Sequence, residues 1–258
     1  MTTSFKALFD LTGRTAVVTG GCGILGRHFA NGLAEFGANV AIVDLDQAAT
    51  DEAAADLASR HSVRATADAI EADLGPVSIL LNNAASKTRD LDAFFAPVEQ
   101  FSQDTWREIM AVNLDGMFTV AQVFGGRMAE RSYGAIVQTA SIYGLMAPDQ
   151  RIYEGSEYMG RPINTPAVYT ASKAGVIGLT KHLATYWAAK GVRVNTLTPG
   201  GVESGQNETF KQRYGARIPL GRMARADEMV GTMLFLVSDA ASYVTGQNIA
   251  VDGGLSAW

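Results

Sequence analysis

Cysteine is nearly missing from this chain: Cys22 stands alone among 258 residues, so no internal disulfide can form, and a reducing compartment fits. Histidine is almost as scarce. His28, His61 and His182 lie far apart and share no metal-ligand spacing, so no metal site is expected. No run approaches the ~18 uninterrupted apolar residues of a membrane helix. The opening stretch, MTTSFKALFDLTGRTAVVTGG, has no basic region leading into an apolar one ahead of a cleavage site. Positive charge is short as well. A formal net charge of −5 gives phosphate backbones no long-range attraction, so neither nucleic acid nor a membrane is an expected partner. A soluble, cytoplasmic protein acting on a small molecule is the expectation.

What the chain does have is apolar material, 47% of its residues against 18% charged, enough for one sizeable core within a single domain spanning 1–258. Short Val/Ile/Leu-rich runs alternate with longer helical stretches. The strand candidates are Thr15–Thr19, Asn39–Val43, Ser78–Asn82, Ala135–Thr139, Val192–Leu197 and Gln247–Val251. Several are apolar on both faces, as parallel strands covered on each side must be. Helical patterns cover Gly26–Phe36, Ala48–Arg60, Val63–Asp73, Thr105–Glu130, Tyr169–Lys190 and Ala226–Val237. This alternation predicts an α/β fold, a Rossmann-type doubly wound parallel sheet with helices on both faces. One long irregular stretch, about 145–166, interrupts the pattern, and such segments inside compact domains are usually functional or disordered.

The first strand candidate runs through TGGCGILG, Thr19 to Gly26, straight into a helix. Glycines there let the backbone turn tightly and approach a pyrophosphate facing the helix N-terminus. Gly20, Cys22, Gly23, Ile24, Leu25 and Gly26 are thus candidate cofactor contacts. Asp44 ends the next strand, 18 residues after Gly26, where a carboxylate accepts hydrogen bonds from the adenosine ribose; an N-cap aspartate is the bland alternative. A 2′-phosphate beside Asp44 would bring like charges together, and neither the loop nor the strand end, where Leu45 follows, supplies Arg or Lys. NAD is therefore expected over NADP.

YTASK places Tyr169 and Lys173 four apart, on one face of a helix. An ammonium near a phenol lowers its pKa from about 10 by stabilising the phenolate. Such a tyrosine can exchange a proton with a substrate hydroxyl or carbonyl while a hydride moves to or from a nicotinamide. By itself the pair is more often a solvated helix face.

From Leu11 to Gly254 the chain resembles the short-chain dehydrogenase/reductase family, in its shorter single-domain branch. TGGCGILG, NNAA (Asn82 to Ala85), VNLDGMF with Asn113, QTASIYG with Ser141, YTASK, LTPGGV with Pro199 and Gly200, and TGQNIAVDGG come in that family's order. The resemblance implies that Tyr169 is the acid–base and that Lys173 lowers its pKa and holds the nicotinamide ribose. Ser141 would hydrogen-bond the reacting oxygen, and Asn113 would help hold a water linking Lys173 to solvent. It adds Asn83, Ala84, Ala85, Pro199, Gly200 and Val202 to the cofactor contacts, a substrate loop at about 202–218, and a homodimer or homotetramer built on the helices Thr105–Glu130 and Tyr169–Lys190.

Three departures stand against that pattern. The branch has glycine where Ile24 stands, and the spacing Gly20–Gly23–Gly26 is similar to that of sugar-nucleotide epimerases. After Arg60 the chain passes through His61 into another helical run, leaving no room for the family's third strand. That gap is either a true deletion of an edge strand or a segment missing from this sequence; the second is favoured, because a true loss would expose a flank of the sheet and the adenine pocket. Finally, Tyr169 follows Ser141 by 28 residues, a long link. The extra material carries Asp149, Arg151, Glu154, Glu157, Arg161 and two tyrosines. Arginine suits a carboxylate or phosphate through paired hydrogen bonds, so a polar, sugar-like or acidic substrate is expected, with Ser141, Tyr143, Arg151, Arg161 and Tyr169 as its candidate contacts. The expected activity is NAD-dependent interconversion of a secondary alcohol and a ketone. The alternatives are a nucleotide-sugar epimerase or dehydratase holding NAD tightly, or a non-catalytic NAD-sensing module.

Overall fold

Strand β1 (Thr15–Thr19) is buried along its whole length, as a strand covered on both faces must be. Around it a computed structural model, which describes residues 4–44, 59–88 and 90–258, builds helices and strands in alternation. The order is α1 (Ile24–Glu35), β2 (Asn39–Val43), α2 (Arg60–Leu74), β3 (Val77–Asn82), α3 (Leu91–Phe94), α4 (Gln103–Met110), α5 (Met117–Glu130) and β4 (Gly134–Thr139). Then come β5 (Glu157–Tyr158), β6 (Arg161–Pro162), α6 (Ala167–Trp187), β7 (Val192–Pro199), α7 (Glu208–Gly215), α8 (Val230–Val237) and β8 (Asn248–Val251). Six strands form one parallel sheet in the order β2-β1-β3-β4-β7-β8. All six strand candidates are present, within two residues of their expected ends.

Alternation along each strand sends side chains to two separate cores. Val17, Leu80, Ile136 and Val194 pack on one face with residues of α2, α5 and α6. Val18, Leu81, Val137 and Leu197 pack on the other with residues of α1 and α8. Burying the larger side chains contributes roughly 1.5–3 kcal/mol each, so the sheet is a firm platform for the loops at its C-terminal edge. Salt bridges to Glu71 from Arg127 on α5 and from Arg131 just after it, at 2.8 and 2.9 Å, tie α2 to the first face.

The expected helix Thr105–Glu130 is α4 and α5 joined by a π-helical turn, Ala111–Gly116. The expected helix Ala48–Arg60 lies, but for its last two residues, outside the described residues. Among the described residues no strand lies beyond β2, and α2 leads directly into β3.

The stretch 145–166 is less irregular than its composition suggests. It holds a 3-10 turn, Gln150–Tyr153, and a hairpin in which Glu157 pairs with Pro162 and Tyr158 with Arg161. Met159 and Gly160 both have positive φ, 53° and 74°, which is the twist a two-residue hairpin turn requires. Met-Gly is not a composition that announces such a turn. The expected substrate loop at 202–218 likewise contains a helix, α7, capped by the Asn207 side chain accepting from the Phe210 N–H at 3.0 Å.

Candidate active site

At the end of β1 the chain enters a turn whose glycines leave no room for a Cβ at two positions. Gly20 has φ +65°, and a Cβ there would lie 2.8 Å from the Ala84 Cα. At Gly26 a Cβ would lie 2.2 Å from the Gly20 carbonyl oxygen. The turn is therefore pressed against both the NNAA loop and the first turn of α1. Thr19 Oγ1 accepts from the backbone N–H groups of Asn83 and Ala84 at 3.0 and 3.1 Å. Asn83 Nδ2 donates to the Thr19 and Gly20 carbonyls, both at 3.3 Å. Asp44 Oδ2 accepts from the Cys22 N–H at 2.9 Å, so the carboxylate at the end of β2 also braces the turn.

Gly23 caps α1 without a side-chain bond to its free N–H groups. A helix N-terminus that no side chain caps among the described residues, beside a carboxylate, fits a dinucleotide, pyrophosphate at the helix and ribose at Asp44. Ile24, where the resembling branch has glycine, is half exposed at the cavity wall, so the turn accommodates a side chain there. Leu45 lies outside the described residues.

The reacting end is assembled from three elements. Ser141 follows β4; its Oγ accepts from the Tyr143 N–H at 3.3 Å, and its hydroxyl lowers the pKa of the Tyr169 phenol beside it. Helix α6 starts just after Pro166 and carries Tyr169 and Lys173 one turn apart. Lys173 Nζ donates to the Thr139 carbonyl at 3.0 Å and lies 6.0 Å from the centre of the Tyr169 ring. Burial, not the ammonium, dominates the phenol. Burial pushes the Tyr169 pKa up while the neighbouring Ser141 hydroxyl pulls against it, and burial brings Lys173 down to about 8. The expected lowering of the phenol by Lys173 is therefore corrected for the protein alone.

Asn113 is fully buried in the π-helical turn. Its Oδ1 accepts from the Ser86 N–H at 2.7 Å and its Nδ2 donates to the Ser86 carbonyl at 3.3 Å. The side chain thus satisfies buried backbone groups, fixing the turn to the loop that follows NNAA.

Both ends open into one cavity of about 800 Å³, which Gly20, Cys22, Gly23, Ile24, Leu25 and Asp44 line at one end. Asn83, Ala84, Ala85, Pro199, Gly200 and Val202 also reach it, as do Ser141, Tyr143, Tyr169 and Lys173. Gly26 does not, because it is packed beneath the turn. Beyond Tyr169 the wall is rich in hydroxyls. Tyr153 donates to the Tyr143 hydroxyl at 3.4 Å and shares a short hydrogen bond with Thr165. Burial raises the pKa values of Tyr143, Tyr153 and Tyr214, so these hydroxyls stay neutral donors and acceptors.

The two expected arginines do not line this cavity. Arg151 is bound through Nε and Nη2 to Asp149, both at 2.8 Å, and its side chain is largely exposed. Arg161 Nε donates to Asp92 at 2.6 Å. Each guanidinium already has its carboxylate. In their place the wall has Lys87, Tyr158 and Asn164, which no local spacing singles out.

A family model described as "Enoyl-(Acyl carrier protein) reductase" matches residues 22–256. A solved structure described as a short chain dehydrogenase from Leptospira borgpetersenii with bound NAD+ superposes with a TM-score of 0.85. It is 31% identical and the match covers 99% of this chain and 97% of that one. The chain belongs to the short-chain dehydrogenase/reductase family. This dehydrogenase/reductase is also similar to the galactitol 2-dehydrogenase (L-tagatose-forming) of Cereibacter sphaeroides, 36% identical over 271 residues, covering 98% of this chain and 99% of that protein. A match longer than the chain itself means that relative has residues without a counterpart here. A gluconate 5-dehydrogenase from Burkholderia cenocepacia, solved with NADP and tartrate, is 35% identical with a TM-score of 0.83, covering 98% of each chain.

Proposed function

We propose that this short-chain dehydrogenase/reductase is an NAD-dependent oxidoreductase that interconverts a secondary alcohol and a ketone on a polyhydroxylated substrate. The observation that carries the reading is one cavity holding Ser141, Tyr169 and Lys173 at one end and the tight glycine turn with Asp44 at the other. The tyrosine-rich wall supports a substrate with many hydroxyls, and relatives named for galactitol and gluconate agree with it.

When bound, the nicotinamide nucleotide supplies the hydride acceptor or donor. Gly20, Gly23, Ile24 and Asp44 would hold its adenosine half, and Lys173 its nicotinamide ribose. Tyr169 would take the proton from the substrate hydroxyl in oxidation and return it in reduction, with the Ser141 hydroxyl donating to the same oxygen. Lys173 would stabilise the phenolate that forms. The Asn113 side chain is committed to Ser86, so a water serving Lys173 would be held from the main chain of the π-helical turn.

Tyr169→Phe should keep the fold and NAD binding while lowering turnover by about 10²–10⁴-fold, the usual cost of losing general acid–base catalysis. Steady-state rates followed by NADH absorbance, over a panel of polyols and sugar acids, check this. A Phe variant keeping more than about a tenth of the wild-type rate, with chemistry rate-limiting, would assign the proton transfer elsewhere. Net formation of NADH separates this reading from an epimerase, and any turnover separates it from a sensing module.

A further inference from the structure

Charge is unevenly placed around the cavity. Among the described residues its one lining carboxylate is Asp44, at the nucleotide end, where it holds the Cys22 N–H. Three cations line it. Arg27 Nε donates to the Cys22 carbonyl at 2.8 Å, so it belongs to the glycine turn. Lys173 is fixed to Thr139 beside the reacting phenol. The third is Lys87. Its ammonium lies 5.1 Å from the centre of the Tyr158 ring, on the hairpin strand β5, and no carboxylate lies within ion-pair distance of it among the described residues.

The position of Lys87 is set by its neighbours. Ser86, immediately before it, is held through both backbone groups by Asn113. Across the cavity mouth Asn164 Nδ2 donates to the Phe95 carbonyl at 2.7 Å, closing the hairpin segment onto the end of α3. Although the residue as a whole is exposed, burial lowers the pKa of its ammonium. An aromatic face offsets only part of the lost hydration.

We propose that Lys87 is the specificity-determining residue of this enzyme, binding a carboxylate of the substrate, so that polyhydroxy acids are turned over in preference to the matching neutral polyols. The inference rests on the alcohol–ketone reading above and names its substrate class. A carboxylate would give Lys87 the partner the protein does not provide, and its hydroxyls would meet Tyr143, Tyr153 and Tyr158 along the same wall. A neutral polyol would leave the ammonium unpaired. Among the described residues, Arg151 and Arg161 offer no alternative, since Asp149 and Asp92 already bind them.

The test compares aldonates of four, five and six carbons with the polyols of the same length, using wild type, Lys87→Met and Lys87→Arg with saturating NAD. Wild type should favour an aldonate by tenfold or more in kcat/KM. Lys87→Met should raise KM for that aldonate about tenfold, with kcat, polyol turnover and KM for NAD within about twofold, whereas Lys87→Arg should retain the preference. Because polyol turnover also reports folding, a Met variant that keeps the acid preference overturns the assignment. So does a wild type that favours polyols, and in both cases the alcohol–ketone reading stands. No NADH from either class would remove that reading and this inference together.

Discussion

Burial draws the Lys173 ammonium down to about 8, and pH should expose that shift directly. An unfolded chain keeps this proton to about 10.4, so between roughly pH 8 and 10 the unfolded state binds more protons and stability rises with pH. Measured against Lys173→Met, wild type should gain up to about 2 kcal/mol between pH 7.5 and 9.5 in denaturant unfolding. An unchanged difference would mean that Lys173 titrates normally. Asp44 makes a second, separate prediction. Wild type should prefer NAD to NADP by at least tenfold in kcat/KM, about 1.4 kcal/mol, and Asp44→Ala should narrow that gap while raising KM for NAD, because the Cys22 N–H loses its acceptor. Steady-state kinetics with both nucleotides decide it, and a wild type preferring NADP would remove the argument. The Tyr169–Lys173 pair was legible because the two stand four apart and so share a helix face, whereas Ser141 and Asn113, 28 and 56 residues before Tyr169, were placed only by the family resemblance. Lys87 was not legible, since the ring beneath it lies on a hairpin far along the chain. Arg161 was misread for the same reason: its neutralising partner, Asp92, is 69 residues away.

The contact between the turn after β4 and helix α6 holds Ser141 against Tyr169, and a single glycine sets it. A Cβ at Gly144 would stand 2.7 Å from the Lys173 carbonyl carbon and oxygen, too close for either backbone to stay in place. Gly144→Ala should therefore cost about 1–3 kcal/mol of stability, as overpacking does, and lower kcat by tenfold or more, since misplacement of about 1 Å can cost 10²-fold. Thermal unfolding and turnover measured on the same sample check both, and an unchanged kcat would show that the contact relaxes freely. Elements were legible wherever periodicity decides them, as with the six strands. The π-helical turn within Thr105–Glu130 was hidden, because one inserted residue barely disturbs an apolar helical pattern. The hairpin β5–β6 was hidden because its strands are too short to show alternation.

Assembly tests how the helical layer is shared between copies. Of the apolar residues on α5 that suggested a subunit contact, Met117, Val120, Val123 and Phe124 are buried within the chain itself, whereas Phe118 is exposed. Phe118 and Tyr186 line a groove between α5 and α6 together with Gly126 and Trp187. A twofold partner seated there would make a symmetric dimer or tetramer. Sedimentation at micromolar protein should show one of these, and Phe118→Glu should shift it to a smaller species; a monomeric wild type would rule the assembly out. The sheet itself has a consequence in time. Strands β1, β2 and β3 are complete by residue 82, so the glycine turn and Asp44 leave the ribosome early. Ser141 and Tyr169 gain their backing only when β7 pairs with β4, and β7 is covered at its far edge only when β8, nearly the last segment made, pairs with it. Parallel pairings across such separations form slowly. A nascent chain would thus have its nucleotide cradle before its acid–base, and on refolding from denaturant turnover would be the last property to return.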